Sequence, residues 1–100
     1  MNSAECSFPK DHPSLAGHFP GAPIIPGALL LARVQQIIHD CIPEESYVFR
    51  SAKFLRPVRP GDLLRIAWKK GAMGELAFLC EVQDELALTG VLVNVKAQSG

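Results

Sequence analysis

Over residues 62–70 apolar and charged side chains alternate, with Leu64, Ile66 and Trp68 on one face and Arg65 and Lys69 on the other. The same period of two recurs over 75–83, which groups Leu76, Phe78, Cys80 and Val82. It recurs again over 86–96, where Ala87, Val91, Val93 and Val95 fall together with Thr89 among them. Alternation of this length predicts half-buried antiparallel strands. Residues 47–57 read as a further strand, and a short one is expected near 5–8. Gly71 with Gly74, and then Asp84-Glu85, supply the intervening turns.

One segment breaks the alternation. From Gly27 to about Cys41 the chain has strong helix formers and no internal breaker. Pro26 suits the first turn, and Pro43 lies just beyond the end. Apolar residues cover most of the circumference of the first two turns, so this helix is expected to be buried on most sides. One long helix followed by a meander of strands predicts an α+β domain in which a curled antiparallel sheet wraps a central helix. At 100 residues the chain, 1–100, is read as a single domain.

The stretch ahead of the helix is turn-rich, because six of the eight prolines fall at or before Pro43. Within it runs Gly17-His18-Phe19-Pro20-Gly21-Ala22-Pro23-Ile24-Ile25-Pro26-Gly27-Ala28. It places a histidine in a rigid turn just before a helix start. Prolines fix φ there, and glycines allow a ligand close to the backbone. The amides of Gly27 and Ala28 open the helix without an intrahelical acceptor. Such N–H groups, at the positive end of the helix dipole, can polarise a carbonyl. His18 is then a candidate general base. A base beside a carbonyl-polarising site is what proton abstraction α to a thioester requires. A histidine in a Pro/Gly loop is also compatible with a structural or merely exposed role. His12 and His39 lack supporting context and read as solvated.

Charge and cysteine usage narrow the partners. Ten basic and ten acidic residues balance, so no field of one sign draws the chain to nucleic acid or an anionic membrane. The three cysteines, at wide spacings, give no metal signature and no disulfide framework, and read as reduced thiols. The first residues lack the apolar run of a secretory signal, and the longest apolar stretch is far too short to span a bilayer. A cytoplasmic location is expected.

The segment Gly17–Gly27 resembles the signature of the 3-hydroxyacyl-acyl-carrier-protein dehydratases of fatty acid biosynthesis: Gly-His-Phe-Pro-Gly, any residue, Pro, two residues, Pro-Gly. Every fixed position matches. A second block, Lys53-Phe54-Leu55-Arg56-Pro57-Val58-Arg59-Pro60-Gly61-Asp62, also resembles the family. The resemblance implies a hotdog fold, a dimer or dimer-based oligomer, and an active site between subunits. It implies that His18 removes the α proton. It further implies that Gly27, Ala28 or Gly21 amides hold the thioester oxygen, and that Phe19, Pro26, Ala32 and Gln36 line or position the substrate. Lys53, Arg56 and Arg59 are candidate contacts with an acidic carrier protein; a solvated strand face is the simpler explanation of them. No metal or organic cofactor is implied. Larger relatives carry a leading helix and hairpin, whereas here the first strand is expected close to residue 1.

One position departs from the pattern. The family's glutamate or aspartate lies fourteen residues after the histidine, where this chain has Ala32. Gln36 is one turn on and has no acidic proton; Asp40 is two turns on. Three readings follow: a dehydratase weakened by the missing acid, one subunit of a mixed dimer completed by a carboxylate-bearing paralogue, or a non-catalytic binder of acyl-carrier-protein or coenzyme A thioesters. A hotdog thioesterase fits less well, since the His-Phe-Pro-Gly turn is not its mark. A purely structural interaction protein would need neither His18 nor free helix amides.

Overall fold

The computed structural model describes residues 2–8 and 24–95. The elements run β1 (Asn2–Ser7), α1 (Gly27–Cys41), β2 (Tyr47–Phe54), β3 (Leu63–Lys70), a short 3₁₀ turn (Ala72–Gly74), β4 (Glu75–Val82) and β5 (Glu85–Asn94). The strands form one five-stranded sheet in the order β1-β3-β4-β5-β2, with every neighbouring pair antiparallel. The sheet is therefore continuous from β1 to β2, with α1 inserted between them in sequence and packed on one sheet face.

The helix bounds agree with the expectation. Pro26 is the N-cap, with φ −57° and ψ 142°, and its carbonyl accepts from Leu29 N–H at 3.0 Å and Leu30 N–H at 3.2 Å. Several strand bounds differ. The first strand occupies Asn2–Ser7 rather than 5–8, and β2 stops at Phe54 rather than 57. The peptide N–H groups of Leu55 and Arg56 instead both reach the carbonyl of Ala87, so the chain peels from the ladder just before Pro57. β3 begins at Leu63 because Arg59–Asp62 is a turn with Pro60 second and Gly61 third. Gly61 has φ 90°, and Asp62 N–H donates to Arg59 O at 3.0 Å, the chemistry of a type II turn. The carboxylate of Asp62 also accepts from Arg59 N–H at 2.8 Å.

The expected core faces of β3 and β4 are those observed: Leu64, Ile66, Trp68, Leu76, Phe78 and Cys80 are all buried. The expected face of β5 holds only in part: Ala87 joins the core and Val93 is buried, but the row that faces the helix is a different one. Cross-strand partners share a face, and Leu76, Phe78 and Cys80 pair with Leu92, Gly90 and Leu88. The helix-side row of β5 is thus Leu88, Gly90 and Leu92, while Thr89, Val91 and Val93 lie on the opposite face. A shift of one residue inverts every side chain of a strand. Here the hairpin turn is Gln83-Asp84, at φ 53° and 63°, instead of Asp84-Glu85, and the ladder shifts register between Cys80 and Glu81. Gly90 accounts for the missing apolar side chain in the inner row, because the Phe78 ring fills that space.

Among the described residues the sheet covers one side of the helix, so the helix is not buried on most sides as expected. Leu30, Val34 and Ile38 are buried against the sheet, while Leu29, Leu31 and Ile37 pack at its margins. Ala28, Ala32, Gln35, Gln36, His39 and Asp40 form an exposed stripe on the other side. The buried set recurs every fourth residue, so a single sheet covers only that stripe. Arg33 lies between, with its guanidinium 4.7 Å from the centre of the Phe8 ring.

Candidate active site

The segment leading into α1 is anchored by its backbone, with Ile25 N–H donating to Val58 O at 2.7 Å. This bond joins the two blocks singled out in the sequence, Gly17–Gly27 and Lys53–Asp62, at the helix start. At that start no side chain caps the helix, and the N–H groups of Gly27 and Ala28 have no acceptor among the described residues. Gly27 is half-buried and Ala28 exposed. Two unclaimed donors at the positive end of a 15-residue helix form a site able to polarise a carbonyl oxygen. Pro26 and Gly27 are the N-cap and the first residue of the helix. His18, Phe19 and Gly21 lie outside the described residues.

Ala28, Ala32 and Gln36 follow one another at intervals of four on the exposed stripe. Position 32 is therefore directed away from the sheet of its own chain. Ala32 opens onto a cleft of about 400 Å³ shared with Gln35, Gln36, His39, Glu45 and Tyr47. The Gln36 amide turns toward the helix C-terminus and donates to Asp40 Oδ1 at 2.9 Å. Gln35, which the sequence did not single out, ties the helix to the sheet by donating to Tyr47 O at 2.7 Å.

The far wall of this cleft holds a polar cluster that periodicity does not reveal. Tyr47 Oη donates to Glu45, whose other oxygen lies 3.2 Å from Lys70 Nζ. Burial first, then the hydrogen bond to Glu45 and its charge, push the Tyr47 phenol up from 10.0 to about 12. The folded state binds the phenolic proton more tightly than the unfolded chain. The stabilisation is therefore complete below pH 10 and is lost as pH rises through about 12. Tyr47 is the one tyrosine of the chain, so ultraviolet titration reads it alone. Phenolate absorbance is expected to appear around pH 12 in wild type and earlier in Glu45→Gln; coincident curves for the two would refute this account.

The cysteines offer no activated nucleophile among the groups with resolved shifts. Burial raises the Cys80 thiol to about 12 and raises Cys6 as well, the latter against the opposing effect of Arg33. Lys53, Arg56 and Arg59 are all exposed. Arg56 is paired with Glu85 at 3.0 Å.

A continuous antiparallel sheet against one helix, with the helix start left open, defines this molecule as a hotdog domain. The chain belongs to the ApeI-like dehydratase family, whose model, described as ApeI dehydratase, matches residues 2–91. It is 32% identical to a 3-hydroxyacyl-[acyl-carrier-protein] dehydratase FabZ from Verminephrobacter eiseniae over 99 aligned residues, covering 83% of this chain and 66% of the relative. Against a second FabZ, from Blochmanniella floridana, the covered share of the relative is 61%, so the chain spans about two thirds or less of these curated relatives. Among solved structures, the dehydratase heterocomplex ApeI:P from Xenorhabdus doucetiae superposes with a TM-score of 0.74 at 25% identity, covering 92% of this chain and 84% of that one. An uncharacterized protein from Erwinia carotovora subsp. atroseptica shares the fold, with a TM-score of 0.77 at 21% identity over 94% of this chain and 83% of its own. No helix among the described residues is long and apolar enough to cross a membrane.

Proposed function

We propose that the chain acts on 3-hydroxyacyl thioesters of acyl carrier protein or coenzyme A, removing water to give the enoyl thioester. His18 takes the proton α to the carbonyl, and the Gly27 and Ala28 amides stabilise the enolate oxygen that develops. The enolate electron pair then forms the C=C bond as the C–O bond at the adjacent carbon breaks, and the departing hydroxide takes a proton from solvent to leave as water. The observation that carries this reading is the open helix start, with two N–H groups free of acceptors among the described residues, and His18 precedes that start by nine residues in the sequence.

Ala32 removes the group that would protonate the departing hydroxyl, so the lone chain is a slow catalyst. Hydration of a crotonyl thioester, the reverse reaction, is followed by loss of enoyl absorbance. Wild type is expected to show slow turnover, reduced by about 10²- to 10⁴-fold in His18→Ala. An unchanged rate in the variant would dispose of the mechanism.

A second reading is favoured by the edge of the sheet. Among the described residues β2 pairs only with β5, and Val48 and Phe54 on it and Leu55 beyond it are exposed. An unpaired edge with exposed apolar side chains suits the addition of a second subunit. In such a dimer the exposed stripe of each helix faces the other chain, where a carboxylate-bearing hotdog subunit supplies what position 32 lacks. The ApeI:P neighbour is itself described as a dehydratase heterocomplex. Light scattering of the pure chain, and of the chain mixed with a carboxylate-bearing paralogue, separates a homodimer from a mixed one.

A further inference from the structure

Phe54 closes the last turn of β2 on the helix side of the sheet, opposite Leu88. Along the inward row of β2 burial falls from Tyr47, buried, through Phe49, half-buried, to Ala52, exposed, and the large ring of Phe54 at the end is 49% exposed. A phenyl ring left half in water forgoes much of the stabilisation that full burial of such a side chain brings. The ring stands on the helix start. A Cβ added to Gly27 would lie 2.8 Å from Phe54 Cζ and 3.1 Å from Cε1. Glycine at position 27 therefore gives the ring its seat beside the two amides that open the helix. Alongside runs an apolar cleft of about 380 Å³, lined by Ile24, Ile25, Leu30, Leu55 and Val58 together with Phe54.

A carbonyl oxygen held at the amides and an apolar tail lying in this cleft are the two halves of one acyl thioester. Both must pass the Phe54 ring. We infer that Phe54 is a specificity-determining residue whose ring, seated on Gly27, limits the length of acyl chain accepted at the helix start; this rests on the thioester reading above. The ring turns about two side-chain bonds, so its removal lengthens the cleft without disturbing the backbone that holds the amides.

The test uses the full chain and calorimetric binding of butanoyl, octanoyl and dodecanoyl pantetheine analogues in which an amide replaces the thioester. Wild type is expected to gain little beyond the butanoyl analogue. Phe54→Ala should gain roughly fourfold in affinity per additional methylene buried, until the cleft is filled. Phe54→Leu, which keeps an apolar contact and guards against a folding defect, should fall between them. Parallel chain-length series in wild type and both variants, with far-ultraviolet circular dichroism unchanged, would overturn the inference, as would no binding of any analogue to any of the three. Crotonyl hydration in the same samples separates the two readings. Turnover that depends on His18 with parallel series removes Phe54 alone. Diverging series with a rate indifferent to His18→Ala removes the dehydratase mechanism and leaves Phe54 in its role.

Discussion

Ala32→Glu is expected to raise the rate of crotonyl-thioester hydration by about 10²- to 10⁴-fold over wild type, the usual worth of one positioned acid or base. Under the mechanism proposed above, the new carboxylate would activate the attacking water in this direction, and the His18 imidazole would deliver a proton to the α carbon. Position 32 is one helical turn, roughly 6 Å along the axis, from Ala28 and on the same exposed stripe. The adjoining cleft of about 400 Å³ gives the longer side chain room without displacing core residues. Glutamate is a strong helix former, so the fold should lose only roughly a few tenths of a kcal/mol. Gln36, one turn further on, can turn its amide from Asp40 to the introduced carboxylate. Ala32→Gln is the control: it has the same length and no proton to exchange, and should stay at the wild-type rate. Equal rates for the two variants would show that the missing acid is not what limits this chain.

Gly90→Ala is expected to lower the melting temperature by roughly 12–24 °C. That range takes a cost of about 3 kcal/mol, the upper end of ordinary overpacking, at about 4–8 °C per kcal/mol for a domain of this size. A Cβ at position 90 would sit 2.4 Å from Ser51 O and 2.6 Å from Phe78 Cε1. The carbonyl belongs to the neighbouring strand, where Ala52 pairs with Gly90, so it cannot retreat without opening the β2–β5 ladder. Nor is the Phe78 ring free, since it packs edge-on against Phe49 with centroids 5.7 Å apart. Gly27 provides the contrast: its nearest obstacle is the tip of the half-exposed Phe54 ring, which can swing aside. Thermal denaturation followed by circular dichroism decides the matter, and a shift within a few degrees of wild type would mean that the strands part easily here.

Gly90 also marks where reading along the chain stops being sufficient. Residues 86–96 carry two apolar rows, and β-branched Val91, Val93 and Val95 make the more strand-like one. The row that meets the helix is Leu88, Gly90 and Leu92, because pairing with β4 places Phe78 over the glycine. A strand apolar on both faces carries no internal mark of which face is inward. The Gln83-Asp84 turn was hidden for a related reason: both residues have positive φ, yet neither is the glycine that usually announces it.

By itself the sequence determined the helix, its Pro26 start and the inward faces of β3 and β4. Those follow from bonding and steric preferences that act within a few residues. It also carried the family's two blocks and the alanine that breaks the pattern at position 32. Tertiary structure alone decided which side of the helix the sheet covers, that Phe54 rests on Gly27, and that Glu45, Tyr47 and Lys70 meet beside the cleft. Each of these depends on strand order and register, which bring together residues far apart in the chain. Local periodicity repeats identically whichever neighbour a strand finally takes.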